Sequence, residues 1–106
     1  MVDLEKLSAT AMEIITYSGV AKSTYIQAMQ IAKQHHFEEA QQKLDEGDSF
    51  LKQAHAQHMG LLQSEAEKNE PQVSMLVLHA EDQFMSCETI KLMVMEFIEL
   101  YKKEGK

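Results

Sequence analysis

The sequence predicts an all-α protein, an antiparallel three-helix up-down-up subunit that associates further. Three observations carry this. The 106 residues contain one Pro and four Gly, so the chain has few places to turn and must run in a few long elements. Apolar residues make up 44%, yet there is no Trp and only 7% is aromatic, so Leu, Ile, Met and Ala do most of the packing. Apolar positions recur at separations of three and four along most of the chain, the period of a helix face. A length of 106 residues argues for one domain, 1–106, and neither a repeat nor a low-complexity linker divides it.

The first helix is expected over about 4–33. Met12, Ile15, Tyr25, Met29 and Ala32 recur at helical spacing, with Ile14 and Ile26 widening the stripe. Gly19 inside it costs about 1 kcal/mol relative to Ala, which points to a close helix approach or a kink. The second helix, about 37–66, is the most regular. Phe37, Ala40, Leu44, Gly47, Leu51, Ala54, His58 and Leu61 alternate spacings of three and four, a heptad seam suited to shallow crossing angles. Asn69 is read as the N-cap of a third helix over about 72–103, with Pro71 in its first turn. In that helix Leu76, Ala80, Gln83, Cys87, Ile90, Val94, Phe97 and Tyr101 form the expected seam. The last residues, KKEGK, are expected to fray.

A second line on the third helix runs Met75, His79, Asp82, Ser86, Thr89 and Met93. It places a polar ribbon on a helix that is otherwise apolar on several sides, and such a helix needs neighbours on several sides. This is the ground for expecting association beyond the single subunit.

Charge and composition narrow the function. The formal net charge of −7 repels phosphate backbones, so nucleic acid is an unsuitable partner, and an acidic surface favours basic protein partners. No basic stretch precedes an apolar run at the N-terminus, and the apolar runs fall short of the ~20 residues of a membrane span. Cys87 is alone and forms no internal disulfide; it reads as a small buried residue. A cytoplasmic location is expected from these features.

For His79 two readings stand side by side. It is a half-buried contact to Asp82 or to a backbone carbonyl, or it is a nucleophile whose neutral imidazole attacks phosphorus. Asp82 on the same flank is expected at an interface, where a symmetric oligomer would bring copies together and a cation would relieve the repulsion. His55 and His58, three apart, lack the Cys or Glu companions of a zinc site. His35 and His36 belong to a turn and are expected in solvent.

The stretches MEIITYSGVAKS, QAHAQHMGLL, SMLVLHAEDQFMS and MEFIELYKK resemble, across nearly the whole chain, the lactose/cellobiose-type enzyme IIA of the bacterial sugar phosphotransferase system. The third-helix segment carries most of the resemblance, since the family pattern there is close to H-x-Q-D-H-L-M. The resemblance implies a homotrimer of three-helix subunits, nine helices in all, that acts as a phosphotransferase component. It implies that His79 accepts a phosphoryl group from phospho-HPr and passes it to a Cys of the IIB component. It further implies that Asp82 lies on the trimer axis and holds one structural divalent ion, Mg2+, per trimer. Glu81, Gln83 and Phe84 stand where Gln, His and Leu are usual, and His58–Met59 where Gln–Thr is usual. Ala80 leans toward cellobiose or chitobiose types over lactose types. Two other classes remain: a histidine phosphotransfer domain, although HAEDQF lacks the Lys and Gly of that motif, and a non-catalytic trimeric helical adaptor.

Overall fold

A computed structural model describes residues 2–104. Three long helices follow one another: α1 (Leu4–Lys33), α2 (Phe37–Lys68) and α3 (Met75–Glu104). They lie side by side in an elongated body of 59 × 19 × 17 Å. No strand occurs among the described residues. α1 packs closely along both partners, whereas α2 and α3 approach each other less closely. The subunit is therefore an open wedge with α1 at its spine, and one side of α3 is left uncovered.

Local chemistry sets the ends. The Asp3 carboxylate accepts from the backbone N–H of Lys6 and caps α1, satisfying one of its orphan donors. His35 takes a left-handed conformation at φ 66° and turns the chain into α2. Both His35 and His36 are exposed. At the other turn the structure corrects the expected cap. Asn69 does not start α3; it ends α2 in the left-handed conformation (φ 49°, ψ 43°), with its N–H bonded to the Glu65 carbonyl. Asn tolerates that conformation, so the same residue type serves either end of a helix. Pro71 then lies in the connection, and Ser74 Oγ caps α3 by accepting from Val77 N–H at 3.2 Å. α3 remains helical through Glu104, so the expected fraying does not reach Lys102–Glu104; residues 105–106 lie outside the described residues.

The buried seams are heptad-spaced, but two of them are rotated from the expected registers. On α1 the buried line is Leu7, Ala11, Ile14, Ser18, Ala21, Tyr25, Ala28 and Ala32, while Met12 is exposed. On α3 it is Val77, Ala80, Phe84, Cys87, Val94 and Ile98, and Phe97 is exposed. Both helices carry apolar residues on adjacent faces; on α1 the small residues Ala11, Ser18, Ala21, Ala28 and Ala32 take the inside, where they let the helix axes approach. α2 keeps its expected seam: Ala40, Leu44, Gly47, Ala54 and Leu61 are buried, with Phe37, Leu51 and His58 half-buried.

The core divides in two about Ser18, whose buried Oγ has no hydrogen-bond partner among the described residues. One half gathers Tyr25, Leu44, Cys87, Val94 and Ile98; the other gathers Leu7, Ile14, Leu61, Val77 and Phe84. The close approach expected at Gly19 is found instead at Gly47. A Cβ at Gly19 would meet nothing within 4 Å, whereas one at Gly47 would run into the Tyr25 ring.

Candidate phosphoryl-transfer site

The N-terminal third of α3 is fixed by Val77, Ala80 and Phe84, which pack into the half of the core around Ile14 and Leu61. With these three turned inward, helix geometry turns His79 and Asp82 outward. Both are exposed, as are Met75, Ser86, Thr89 and Met93, so the whole second line lies on one open face. Among the described residues neither His79 nor Asp82 has a hydrogen-bond or ion-pair partner. His79 is therefore not a satisfied core histidine. Its imidazole is presented to whatever approaches α3.

The face around Asp82 is apolar. Leu78 (55% exposed), Met85 (56%) and Leu92 (65%) stand at heptad spacing with it, and among the described residues Met75 is the most exposed large apolar side chain at 82%. A single carboxylate thus sits in a row of uncovered Leu and Met. Exposed large apolar side chains grouped on one face are the kind of surface that interaction sites use. The groove beside it, between α2 and α3, is lined by Leu51, Met85, Glu88, Lys91 and Leu92.

As to metal, no group of three or more His, Cys, Asp or Glu among the described residues of one subunit is placed to hold an ion. Asp82 supplies one hard oxygen donor group per chain, which suits a divalent cation only when copies converge. The donor chemistry fits; the number of ligands requires several subunits.

Three residues that depart from the usual motif meet at one point. His58 on α2 lies 2.6 Å, through Nδ1, from Glu81 Oε1 on α3. The His58 ring stacks on Phe84 with centroids 4.9 Å apart and planes 22° apart. His55 also borders Phe84, at 5.9 Å. His58 falls in the α2 seam and Glu81 among the departures on the third helix, and spacing gives no sign that they pair, because they lie on different helices 23 residues apart. A second cross-helix cluster was likewise not foreseen. Tyr25 Oη donates to Asp48 Oδ1 at 2.6 Å, and Lys91 Nζ lies 2.8 Å from the same oxygen, tying α1, α2 and α3 together. Burial first, and then the hydrogen bond to Asp48, push the Tyr25 hydroxyl well above its usual pKa. Cys87 is fully buried, as expected, and burial pushes its thiol up to about 11. A polar groove between the start of α1 and the end of α2, including Lys6, Gln57 and Lys68, contains neither His79 nor Asp82.

Among the described residues no helix is long and apolar enough to cross a membrane. Residues 9–102 match the family model of the PTS system lactose/cellobiose-specific IIA subunit. The chain is 34% identical over 99 residues to the lichenan-specific phosphotransferase enzyme IIA component of Bacillus subtilis, spanning 93% of this chain and 90% of that protein. It is 31% identical over 101 residues to the N,N'-diacetylchitobiose-specific EIIA component of Escherichia coli, spanning 95% and 87%. Among solved structures, the cellobiose-specific enzyme IIA from Bacillus anthracis superposes with a TM-score of 0.88 at 34% identity, covering 99% of this chain and 94% of that one. PtcA from S. mutans superposes with a TM-score of 0.90 at 34% identity, covering 95% and 99%. The three-helix fold, the uncovered face of α3 and these similarities together place the chain in the lactose/cellobiose-specific IIA family of the sugar phosphotransferase system.

Proposed function

We propose that the protein is a cytoplasmic phosphoryl carrier that takes phosphate from phospho-HPr on His79 and delivers it to the Cys of a IIB component. The observation that supports this most is the presentation of His79: it stands exposed and unpartnered on a helix otherwise fixed by its apolar side. An imidazole held by a hydrogen bond in the core would be a poor acceptor. An open one lets a donor align its phosphorus in line with the attacking nitrogen.

In the accepting step a lone pair of the neutral His79 imidazole forms a new N–P bond as the donor's N–P bond breaks, and the donor histidine recovers its lone pair. In the delivering step the partner's thiolate sulfur attacks the same phosphorus, an S–P bond forms and His79 is released. Little covalent chemistry falls to the protein beyond positioning and charge balance. With −7 net charge, the chain suits partners that present basic surfaces around their own reactive groups. Neither nucleic acid nor insertion into a membrane has a place in this scheme.

The working form in this proposal is a homotrimer of nine helices, with α3 of each subunit at the axis. Leu78, Met85 and Leu92 would be covered there, and three Asp82 carboxylates would converge on one divalent ion, Mg2+. Such an ion supplies charge neutralisation at the axis and takes no part in the transfer. The sugar is assigned to the β-disaccharides of cellobiose or chitobiose type; 34% identity to cellobiose- and lichenan-specific proteins supports this, set against 30% to lactose-specific EIIA components.

The test is labelling from phosphoenolpyruvate with enzyme I and HPr. Wild type should take up an acid-labile, base-stable phosphoryl group only when both are present. His79→Ala should take up none while retaining its helical content. Label that survives in His79→Ala and is lost in His55→Ala or His58→Ala would move the acceptor to α2.

A further inference from the structure

We propose that the groove between α2 and α3 receives, from a second copy of this chain, the α3 flank that bears His79, so that copies join through unlike faces; this rests on the reading that the subunit associates through α3. Polar bridges tie α2 to α3 at Asp48–Lys91, 2.8 Å, and at His58–Glu81, 2.6 Å. Both intervals, 48 to 58 and 81 to 91, correspond to about 15 Å of helix. Between the bridges the helices leave an open groove that includes Leu51, Met85 and Leu92, with Glu88 beside them. A second hollow between the same helices, nearer the end of α3, includes Leu44, Met95 and Glu99. Met85, Leu92 and Met95 are exposed, so a lone subunit leaves this lining in water.

Each residue turns a helix by about 100°, so α3 presents two different rows about a third of a turn apart. One is the groove wall, Glu81, Met85, Glu88 and Leu92. The other is Met75, His79, Ser86, Met93 and Phe97, all exposed and with no carboxylate or lysine among them. Pairing of like rows fails twice. Groove against groove sets one acidic rim against another, and Lys91, the lysine of the lining, is already bound to Asp48. Flank against flank leaves Met85 and Leu92 uncovered. Flank against groove covers both rows, brings no like charges together and offers the Ser86 hydroxyl near the level of Glu88. A contact between unlike faces repeats on every copy and closes into a ring when the rotation allows. His79 stands in the inserted row, so one wall of the transfer site then comes from the second copy.

Ser86 and Glu88 lie about 200° apart around α3, so within one chain they do not face each other. In a ring of parallel copies they stand about 3 Å apart along the axis, one on each side of the contact. The experiment is sedimentation equilibrium on wild type, Ser86→Glu, Ser86→Glu/Glu88→Lys and Ser86→Glu/Glu13→Lys, with helical content measured on each. Ser86→Glu should weaken association about tenfold, because the new carboxylate meets the acidic rim of the next copy. Ser86→Glu/Glu88→Lys should recover to within about threefold of wild type, since the new charges attract across the contact. Glu13 is exposed on α1, so Ser86→Glu/Glu13→Lys carries the same net charge, leaves the rim unchanged and should stay weak. Association of Ser86→Glu equal to wild type overturns the proposal, as does a Glu88→Lys change that restores no more than Glu13→Lys. A monomeric wild type instead overturns the reading that the subunit associates through α3, and takes this proposal with it.

Discussion

The Tyr25 ring occupies the place where a side chain at residue 47 would begin: a Cβ on Gly47 would lie 2.7 Å from Tyr25 Cε1. Tyr25 has no room to retreat, being fully buried and held at its hydroxyl by Asp48. Overpacking of this kind costs about 1–3 kcal/mol, while Ala gains up to about 1 kcal/mol over Gly in a helix interior. Gly47→Ala should therefore destabilise by about 1 kcal/mol net. Gly60, also within α2, has nothing within 4 Å of a built Cβ, so Gly60→Ala should be neutral or stabilising. Urea melts should show a loss of stability in Gly47→Ala and none in Gly60→Ala; a stabilised Gly47→Ala would show that the ring yields.

The Tyr25 hydroxyl offers a second measurement. Tyr25→Phe keeps the ring against Gly47 and removes only the donor to Asp48. Hydrogen bonds to charged groups contribute about 1.5–3 kcal/mol. Asp48 is half-exposed and retains Lys91, which reduces the loss to about 1 kcal/mol. Asp48→Asn, by contrast, weakens both links at once and should cost more than Tyr25→Phe. Equal costs would mean that Lys91 contributes nothing to the cluster.

Cys87 sits wholly inside, so its thiol should resist alkylation under native conditions and react only on unfolding. Burial raises its pKa from 9.0 to about 11, which means the folded state favours the protonated thiol. That contribution is complete below about pH 9 and is lost as the pH rises through about 11. Cys87→Ala should cost on the order of 1 kcal/mol at pH 8. The gap between wild type and variant should narrow between pH 9 and 11. Phosphoryl transfer should survive the substitution, because the acceptor cysteine belongs to the partner in the proposed pathway. Loss of transfer to IIB with His79 still labelled would contradict this.

The number of helices, the α2 seam and the open flank bearing His79 and Asp82 were legible in the sequence because each rests on spacing. The rotation of α1 and α3 was not. Both helices offer apolar residues on neighbouring faces, so periodicity alone does not choose between Ile14 and Ile15, or between Val77 and Leu76. On α1 the choice goes with Ala11, Ser18 and Ala21, whose small side chains let the helices close; on α3 Ala80 and Cys87 belong to both registers and do not decide it. Asn69 was misread because an Asn beside a Pro fits a helix start as well as a left-handed helix end. The His58–Glu81 bond depends on how α2 and α3 are set against α1, which no local pattern reports.

Asp82 and its apolar row carry the last prediction, which concerns assembly. Leu78, Met85 and Leu92 are each more than half exposed in the lone subunit, a surface that association would remove from water. Fully burying such a side chain is worth about 1.5–3 kcal/mol, so repeated copies of the row supply ample drive. The cost lies in Asp82, since carboxylates brought together in a poorly solvated axis repel unless a cation joins them or some take up protons. Chelation should therefore lower the melting temperature of the assembly, and the melting temperature should rise with protein concentration. Asp82→Leu replaces the repelling charges with apolar contact, an exchange that often stabilises a buried ionic site. The variant should remain trimeric by sedimentation equilibrium and melt at the same temperature with and without chelator. A monomeric wild type, or an Asp82→Leu trimer that still responds to chelator, would remove Asp82 from the axis.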